Sequence, residues 1–276
     1  RGHKTSNRQN KILQTTKHVT TMSSNMNLIN AIVGNNNGAA RIEEGDYMGA
    51  ISCLSTALKA AKCCMSDHEN DNTSDECQRE TPFDLDSIMM KEKVALQYSF
   101  NNEDDEGYFV YERPIRMPNS IRVQHYDESS SRSAFPHKVL CSAISIFNLA
   151  LAHHLEATSR SSDAVVFLKK AAKLYDFGLQ VLQGADTPIE HGIPAKCGLF
   201  YLATLNNLGD VHRRLRNTSI SEQYCQELLR MLVYLTEDAT STSSSTPSSD
   251  ETFDAFYQNS VFYLLSSHGI NAAPAA

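Results

Sequence analysis

The sequence predicts an all-helical protein made of antiparallel helical hairpins, and three observations lead to that prediction. Apolar and small residues recur at three- and four-residue spacings, as in Ala50, Leu54, Ala57 and Leu58, which is typical of a helix packed along one side. A short motif of asparagine and small residues recurs along the chain. The 276 residues include only 12 glycines, 8 prolines and no tryptophan, a composition that argues against a turn-rich β-protein.

Composition and charge exclude several classes of function. The chain is 41% hydrophobic and 21% charged, as ordinary globular proteins are, and its net charge of -7 argues against a nucleic-acid partner. The longest apolar run, around 144–152, is interrupted by Asn148, so we expect no membrane span and no membrane partner. The seven cysteines include no Cys-x-x-Cys pair, which favours reduced thiols and an intracellular, cytoplasmic protein.

Residues 1–25 are predicted to form a disordered basic arm. Acidic residues are absent through Ile42, whereas lysine, arginine, serine and threonine are frequent. This composition faintly resembles an organelle transit peptide, so organelle targeting stays open as an alternative location.

A first helical hairpin is expected over 26–64. Gly45 interrupts the helical pattern, and the Asp46 side chain can accept a hydrogen bond from a free N–H at the start of the second helix. The apolar stripe that begins at Ala50 then continues to Ala61, which gives this second helix one buried side.

Residues 65–135 are predicted to be an irregular acidic insertion, with acidic runs such as 103–106. Within it, Tyr108–Pro118 is rich in aromatic and β-branched residues. Pro114 and Pro118 forbid a helix, so the segment is expected to be β-like, with 94–100 as a candidate pairing strand. Three interpretations stay open: the segment adds to a partner's sheet, folds back across the helices and gates them, or simply packs on them.

Residues 136–237 are predicted to form a second and a third helical hairpin, with helices over 138–156, 162–183, 196–215 and 219–236. Ser219 and Glu222 have the spacing of a capping box at the start of the last of these. A flexible loop rich in serine and threonine is expected over 238–250. Residues 251–276 would form a final helix and tail that cap the open end of the stack.

The recurring motif aligns the three hairpins. Asn148-Leu-Ala-Leu-Ala-His153 matches Asn207-Leu-Gly-Asp-Val-His212, and Asn36-Asn-Gly-Ala-Ala-Arg41 is a weaker copy. The small residues Ala50 and Ser221 come twelve places after Gly38 and Gly209, where they allow two helices to approach closely. In the second hairpin the same alignment needs two extra residues in the turn. Another register, without an insertion, places Ala152 opposite Ala164.

This pattern resembles the tetratricopeptide repeat over about half of the chain. The matching consensus places are Gly38, Gly45, Tyr47, Ala50, Leu54 and Ala57 in the first hairpin, Leu149, Ala150, Ala164, Leu168 and Ala171 in the second, and Leu208, Gly209, Ser221, Cys225 and Leu228 in the third. The resemblance implies an α-solenoid of stacked hairpins in which the first helix of each hairpin lines a concave groove.

The resemblance also places Asn36, Asn148 and Asn207 on that groove. An asparagine amide donates and accepts at once, so a row of three could hold the backbone of an extended peptide whatever its side chains. The alternative is that these amides bond only within the stack. The remaining residues predicted to bind a partner are Phe147, Leu151, Asn206, Asp210, Arg213 and Arg214. His153 and His212 are expected to pack between helices, and His154 to lie on the groove side or in solvent.

No catalytic motif of a known class occurs in the sequence. Cys63, Cys64, His68 and Cys77 come nearest to a set of metal ligands, but adjacent cysteines on a helix point in different directions. We therefore predict a non-catalytic module, with no metal and no cofactor, that binds a peptide or helix of another protein. The alternatives are a constitutive structural subunit of a larger assembly and an enzyme with an unrecognised site.

Overall fold

The computed structural model describes residues 26–66, 110–117, 134–159, 162–183, 189–190, 193–194, 197–241 and 251–267. In these ranges the predominantly helical class is confirmed. The helices are α1 (26–43), α2 (Tyr47–Ser66), α3 (Ala134–Ser159), α4 (Ala164–Gln183), α5 (Gly198–Arg214), α6 (Thr218–Ser241) and α7 (Glu251–Ser267). The predicted arm 1–25, most of the acidic insertion and residues 242–250 of the predicted loop lie outside the described residues. The helix α6 runs into the start of that loop.

Between α4 and α5 the chain forms a small antiparallel pair, β1 (Ile189–Glu190) and β2 (Ile193–Pro194). Ile189 lies opposite Pro194, and Glu190 lies opposite Ile193. The pair falls in a stretch that Pro188 and Pro194 interrupt. Proline lacks the N–H that a longer ladder would use, which fits strands of only two residues each.

Consecutive helices pack on one another along the chain, in the order α2 on α3, α3 on α4, α4 on α5, α5 on α6 and α6 on α7. The helices α1 and α2 approach closely through glycine. A methyl group on Gly34 would lie 2.9 Å from the Cβ atom of Ala57, and one on Gly38 would overlap Leu54. Because the earlier glycine contacts the later residue of α2 and the later glycine contacts the earlier one, the two helices are antiparallel.

The helices α1 and α5 end in the same way. The N–H of Asp46 donates to the carbonyl of Arg41 (2.9 Å) and that of Asn217 donates to the carbonyl of His212 (2.9 Å), which closes the last turn of each helix. Both turns need a residue in the left-handed region, which is Gly45 (φ 77°) in the first and Arg216 (φ 60°) in the second. The predicted cap also forms, since the N–H of Gly49 donates to Asp46 Oδ1 at 3.0 Å.

Replacing Arg216 by glycine is expected to stabilise the protein. A side chain in the left-handed region strains the backbone, and relief of that strain outweighs the extra freedom that glycine gives the unfolded chain, so the gain is about 0.5–1 kcal/mol. Denaturant unfolding of Arg216→Gly measures it. Arg216→Ala is the matched control, because alanine removes the charge but keeps the Cβ atom. A glycine variant no more stable than the alanine variant would contradict the argument.

Two ring contacts fix the register of the second hairpin. The His212 ring stacks on Tyr224 with centroids 5.6 Å apart, and the His153 ring packs on Phe167 at the same centroid distance. The first pair is separated by 12 positions and the second by 14. These contacts fit the predicted alignment with two extra residues in the α3–α4 turn, in which Asn148 is matched with Asn207. Both histidines pack between helices, as the sequence interpretation expected.

His153 makes stability depend on pH. Burial, together with the charge of Lys170, lowers the pKa of His153 from 6.5 to about 4. Between these values the unfolded chain takes up a proton that the native ring does not, so acidification from pH 6.5 towards pH 4 favours unfolding.

The His153→Phe variant keeps a ring against Phe167 but removes this titration. It is expected to lose about 1–2 kcal/mol less stability between pH 7 and pH 4.5 than the original chain, because it has no ring that takes up a proton in the unfolded state. Urea unfolding at a series of pH values measures the difference. An unchanged pH profile would show that another group is responsible.

The helix α3 lies at the centre of the fold. Several of the largest fully buried side chains are aromatic residues of α3 or of the helices around it, namely Phe147, Tyr175, Phe200 and Phe256. Its stretch Val139–Ser159, with a mean hydropathy of 1.3, is long and apolar enough to cross a membrane by length and composition. The sequence interpretation found no such stretch because it stopped at the polar residues Asn148 and His153. In the folded chain the most apolar 18 residues of this stretch are all buried inside the protein, as in the central helix of a helical core.

Candidate functional site

The first helices of the three hairpins form one continuous face. Asn148 of α3 donates to Asn35 of α1, with Nδ2 and Oδ1 3.0 Å apart. His154 of α3 bonds to Asp210 of α5 at 2.9 Å. The helix α7 adjoins α5, since Asn259 Nδ2 donates to Asn206 Oδ1 at 2.7 Å. The order of helices across this face is therefore α1, α3, α5 and α7.

The chain's own segment 110–117 lies across this face, and three asparagines hold its main chain. Each asparagine accepts the N–H of one segment residue and donates to the carbonyl of the same residue. We call Asn36, Asn148 and Asn207 the asparagine face. Asn36 Oδ1 lies 2.8 Å from the nitrogen of Met117, and Asn36 Nδ2 lies 2.8 Å from its carbonyl oxygen. The same two distances are 2.8 and 2.7 Å for Asn148 with Ile115. They are 2.9 and 3.0 Å for Asn207 with Tyr111.

The segment must be nearly fully extended. It bonds to α5 at Tyr111, to α3 at Ile115 and to α1 at Met117. Packed helices lie about 8–10 Å apart, so the six residue steps from Tyr111 to Met117 cross about 16–20 Å. This distance is close to the reach of an extended chain, about 3.3 Å per residue. The segment therefore presents N–H and carbonyl groups outwards, as a strand does, and amide side chains take the place of a neighbouring strand.

Further polar side chains hold the asparagines in place. Asn35 donates to the carbonyl of Ile115 (3.0 Å), so that carbonyl accepts from two amides. The Tyr175 hydroxyl accepts from Asn207 Nδ2 at 3.0 Å. Asn148 and Asn207 are fully buried, where an unpaired amide would cost about 1–3 kcal/mol, whereas Asn36 is half-buried. These bonds help to orient the amides of Asn148 and Asn207 towards the main chain of the segment.

The side chains of the segment are buried against the helices. Tyr111, Ile115 and Met117 are each at most 5% exposed. The Tyr111 ring lies 6.3 Å from that of Phe147 in an edge-on contact and 6.0 Å from that of Phe256. The segment is therefore part of the hydrophobic core as well as a hydrogen-bonded strap.

A cluster of charges lies beside the asparagine face. The buried Asp210 carboxylate accepts from His154 (2.9 Å), Arg213 (2.8 Å) and Arg214 (2.7 Å). Burial alone would raise the pKa of Asp210, but the hydrogen bond and charge of His154 and the two guanidinium groups hold it well below its usual range. Both arginines thus pair with Asp210.

Glu112 brings a further carboxyl group from the segment close to this cluster. Partial burial raises the pKa of Glu112, and the charges of His154 and Arg214 act in the opposite direction. His154 itself is fully buried, so it does not lie in solvent, one of its two predicted positions; it lies beside the asparagine face. Its hydrogen bond to Asp210 in the interior explains the difference.

The nine residues predicted to bind a partner lie in several different environments. The three asparagines touch the segment's main chain, and Phe147 packs under Tyr111. Leu151 is fully buried. Asn206 bonds to α7, and Asp210, Arg213 and Arg214 form the charge cluster. Whether these residues bind another protein stays a prediction.

Sequence reasoning missed three contributors to this site. Asn35 has a signal in the sequence, because it adjoins Asn36 in a run of three asparagines. Tyr175 and Asn259 have none, since each reaches the face only through the packing of its helix. Among the described residues, no group of three or more histidine, cysteine, aspartate or glutamate side chains is arranged to hold a metal. Of the set Cys63, Cys64, His68 and Cys77, the first two lie near the end of α2, and the other two lie outside the described residues.

The segment's main-chain groups at 111, 115 and 117 are engaged by the helices, which is the fold-back or packing arrangement rather than addition to a partner's sheet. No protein-family model matches the chain, and neither a curated protein nor a solved structure is similar enough to count as a match.

Proposed function

We propose that this chain is a non-catalytic protein–protein interaction module that binds an extended peptide of a partner on the asparagine face. The observation that carries the proposal is the six hydrogen bonds from three asparagines to the main chain of segment 110–117. Such bonds do not depend on the side chains of the peptide, so another peptide in the same extended conformation can make them.

The helical scaffold is proposed to be a tetratricopeptide-like stack. Three features support this: the hairpins pack in chain order, α1 and α5 end in equivalent turns, and the asparagines are equivalent by position in α3 and α5. In this arrangement the first helix of each hairpin would line the groove, which is where the asparagine face lies.

The segment and the partner would compete for one place. A segment tethered in the same chain has an effective concentration in the millimolar range, so a free peptide of equal affinity would rarely displace it. Partner binding therefore needs either a tighter peptide or an event that releases the segment. This makes segment 110–117 an internal competitor of the proposed partner.

Co-purification from native cell extract tests the proposal, using the original chain, Asn148→Ala/Asn207→Ala and Asn36→Ala. The third chain is included because the double variant loses two buried amides and is expected to be strongly destabilised, whereas Asn36 is only half-buried. The matched control is Asn37→Ala, because Asn37 is an exposed asparagine next to Asn36. Chemical cross-links should place the captured partner on α1, α3 or α5. Circular dichroism first establishes that each variant is folded. A partner that binds a folded variant of the asparagine face, Asn36→Ala included, as well as it binds the control would overturn the proposal.

A constitutive structural subunit is the second candidate, and exposed apolar side chains on α4 favour it. Val166 and Phe177 lie on the same side of this helix and are 52% and 49% exposed. A permanently docked subunit would cover such side chains. Light scattering of the purified chain separates the candidates, because a subunit without its assembly should self-associate and a free module should stay monomeric.

A further inference from the structure

We propose that the peptide taken by the asparagine face contains a proline, an aromatic residue three positions before it, and aliphatic residues one and three positions after it. This inference rests on the proposed function and names the class of partner. The pattern is that of Tyr111, Pro114, Ile115 and Met117, the sequence already seated on the face. A partner peptide would meet the same helices and the same three amides.

The aromatic position is set by two rings of the helices. Tyr111 is 5% exposed and lies between Phe147 of α3 and Phe256 of α7. Buried aromatic pairs contribute about 0.5–1.5 kcal/mol beyond the area that they bury. An alanine here would leave a space between the two rings. The face therefore selects an aromatic residue at the end that contacts α5 and α7.

The proline position is one where the face bonds neither N–H nor carbonyl. The three asparagines bond residues 111, 115 and 117 and pass over Pro114, which is buried. Proline lacks an N–H, so its burial there leaves no donor unpaired. It also confines the preceding residue, Arg113, to extended conformations, which reduces the conformational entropy that binding removes.

The aliphatic positions fill the surface between α3 and α1. Ile115 and Met117 are 3% and 2% exposed. The N–H and the carbonyl of each residue both bond to the amide of one asparagine. The residue between them is less selective. Arg116 pairs with Glu43 of α1 at the exposed edge, where an ion pair contributes little. A polar side chain of either charge is therefore tolerated between the two aliphatic ones.

Fluorescence anisotropy with a labelled synthetic peptide of residues 108–119 tests the inference. The host is the full chain with Tyr111→Gly, Ile115→Gly and Met117→Gly, in which the internal competitor is weakened. We expect the peptide to bind this host at least about tenfold more tightly than the original chain. In the peptide, Tyr111→Ala is expected to weaken binding about tenfold and Pro114→Ala severalfold, whereas the control Arg116→Gln changes it less than about threefold.

The outcomes separate the two proposals. If a scrambled peptide binds the host as tightly as the original peptide, the face holds any extended chain, so the pattern is overturned while the proposed function stands. If no peptide binds a folded host, both are overturned.

A second measurement decides the matter if the glycine host does not fold. Hydrogen exchange on the original chain is followed with and without millimolar peptide. Displacement should accelerate exchange at the amides of Tyr111, Ile115 and Met117, with no acceleration from the scrambled peptide. Exchange that is the same with either peptide would overturn the pattern.

Discussion

Asn148→Ala is expected to lower the free energy of unfolding by about 3–5 kcal/mol. The amide of Asn148 is fully buried and makes three hydrogen bonds, to the N–H and carbonyl of Ile115 and to Asn35. The carbonyl of Ile115 keeps its bond from Asn35, but the N–H of Ile115 and the oxygen of Asn35 are left unpaired in a dry interior. Each unpaired group costs about 1–3 kcal/mol, and the lost side-chain volume adds to it.

The matched comparison is Asn36→Ala. Asn36 makes the same two bonds to the main chain of Met117, but it is only half-buried, so water can replace the lost amide. The expected loss is about 1–2 kcal/mol. Denaturant unfolding measures both variants, and hydrogen exchange at Ile115 reports whether the segment opens. If both variants lose the same free energy of unfolding, burial of the amide does not determine how strongly each asparagine binds the segment.

Asp210→Ala is the second substitution with a large expected effect, a loss of about 3–5 kcal/mol. The carboxylate is fully buried and accepts from His154, Arg213 and Arg214. Its removal leaves the buried His154 ring without the acceptor of its Nε2 atom. Arg214→Ala is the comparison, with an expected loss of about 1 kcal/mol, because His154 and Arg213 still bond to Asp210.

The pH dependence of the two chains should differ as well. The pKa of Asp210 lies below its usual range in the native state, so its contribution to stability is complete above the usual aspartate pKa of 3.8 and is lost as the pH falls below that value. Acid unfolding of Asp210→Ala should therefore lack this component. If both chains lose stability in parallel below pH 4, the carboxylate is not the group whose protonation matters.

The helices could be predicted because their signals are local. Gly45 and Asp46 are adjacent to the helix ends that they form, and the stripe from Ala50 to Ala61 lies within a single helix. The left-handed Arg216 was not anticipated, since arginine carries no local preference for that region. The need for a left-handed residue at position 216 becomes clear only from the structure, in which α5 ends in the same kind of turn as α1.

The asparagine face was predictable in part. Asn148 and Asn207 stand out because they occupy the same place in a repeated motif. The segment that they bind is determined by contacts between residues far apart in the sequence. Tyr111 and Asn207, for example, are separated by 96 positions. An aromatic segment with prolines fits several packings equally well until the helices around it are placed. Sequence patterns therefore identified the amides and left three alternatives open for the placement of the segment that they bind.

The strap formed by segment 110–117 also bears on how the chain folds. In a linear array of repeats, each unit interacts with its neighbours alone, and one end can melt while the other persists. Here a single stretch bonds to α1, α3 and α5 and packs on α7, with partners 81 positions away at Asn36 and 96 at Asn207. Fraying at either end would remove bonds that the middle also uses. The hairpins should melt in a single cooperative transition, and the long chain closures that this requires should make folding slower than in an ordinary helical array.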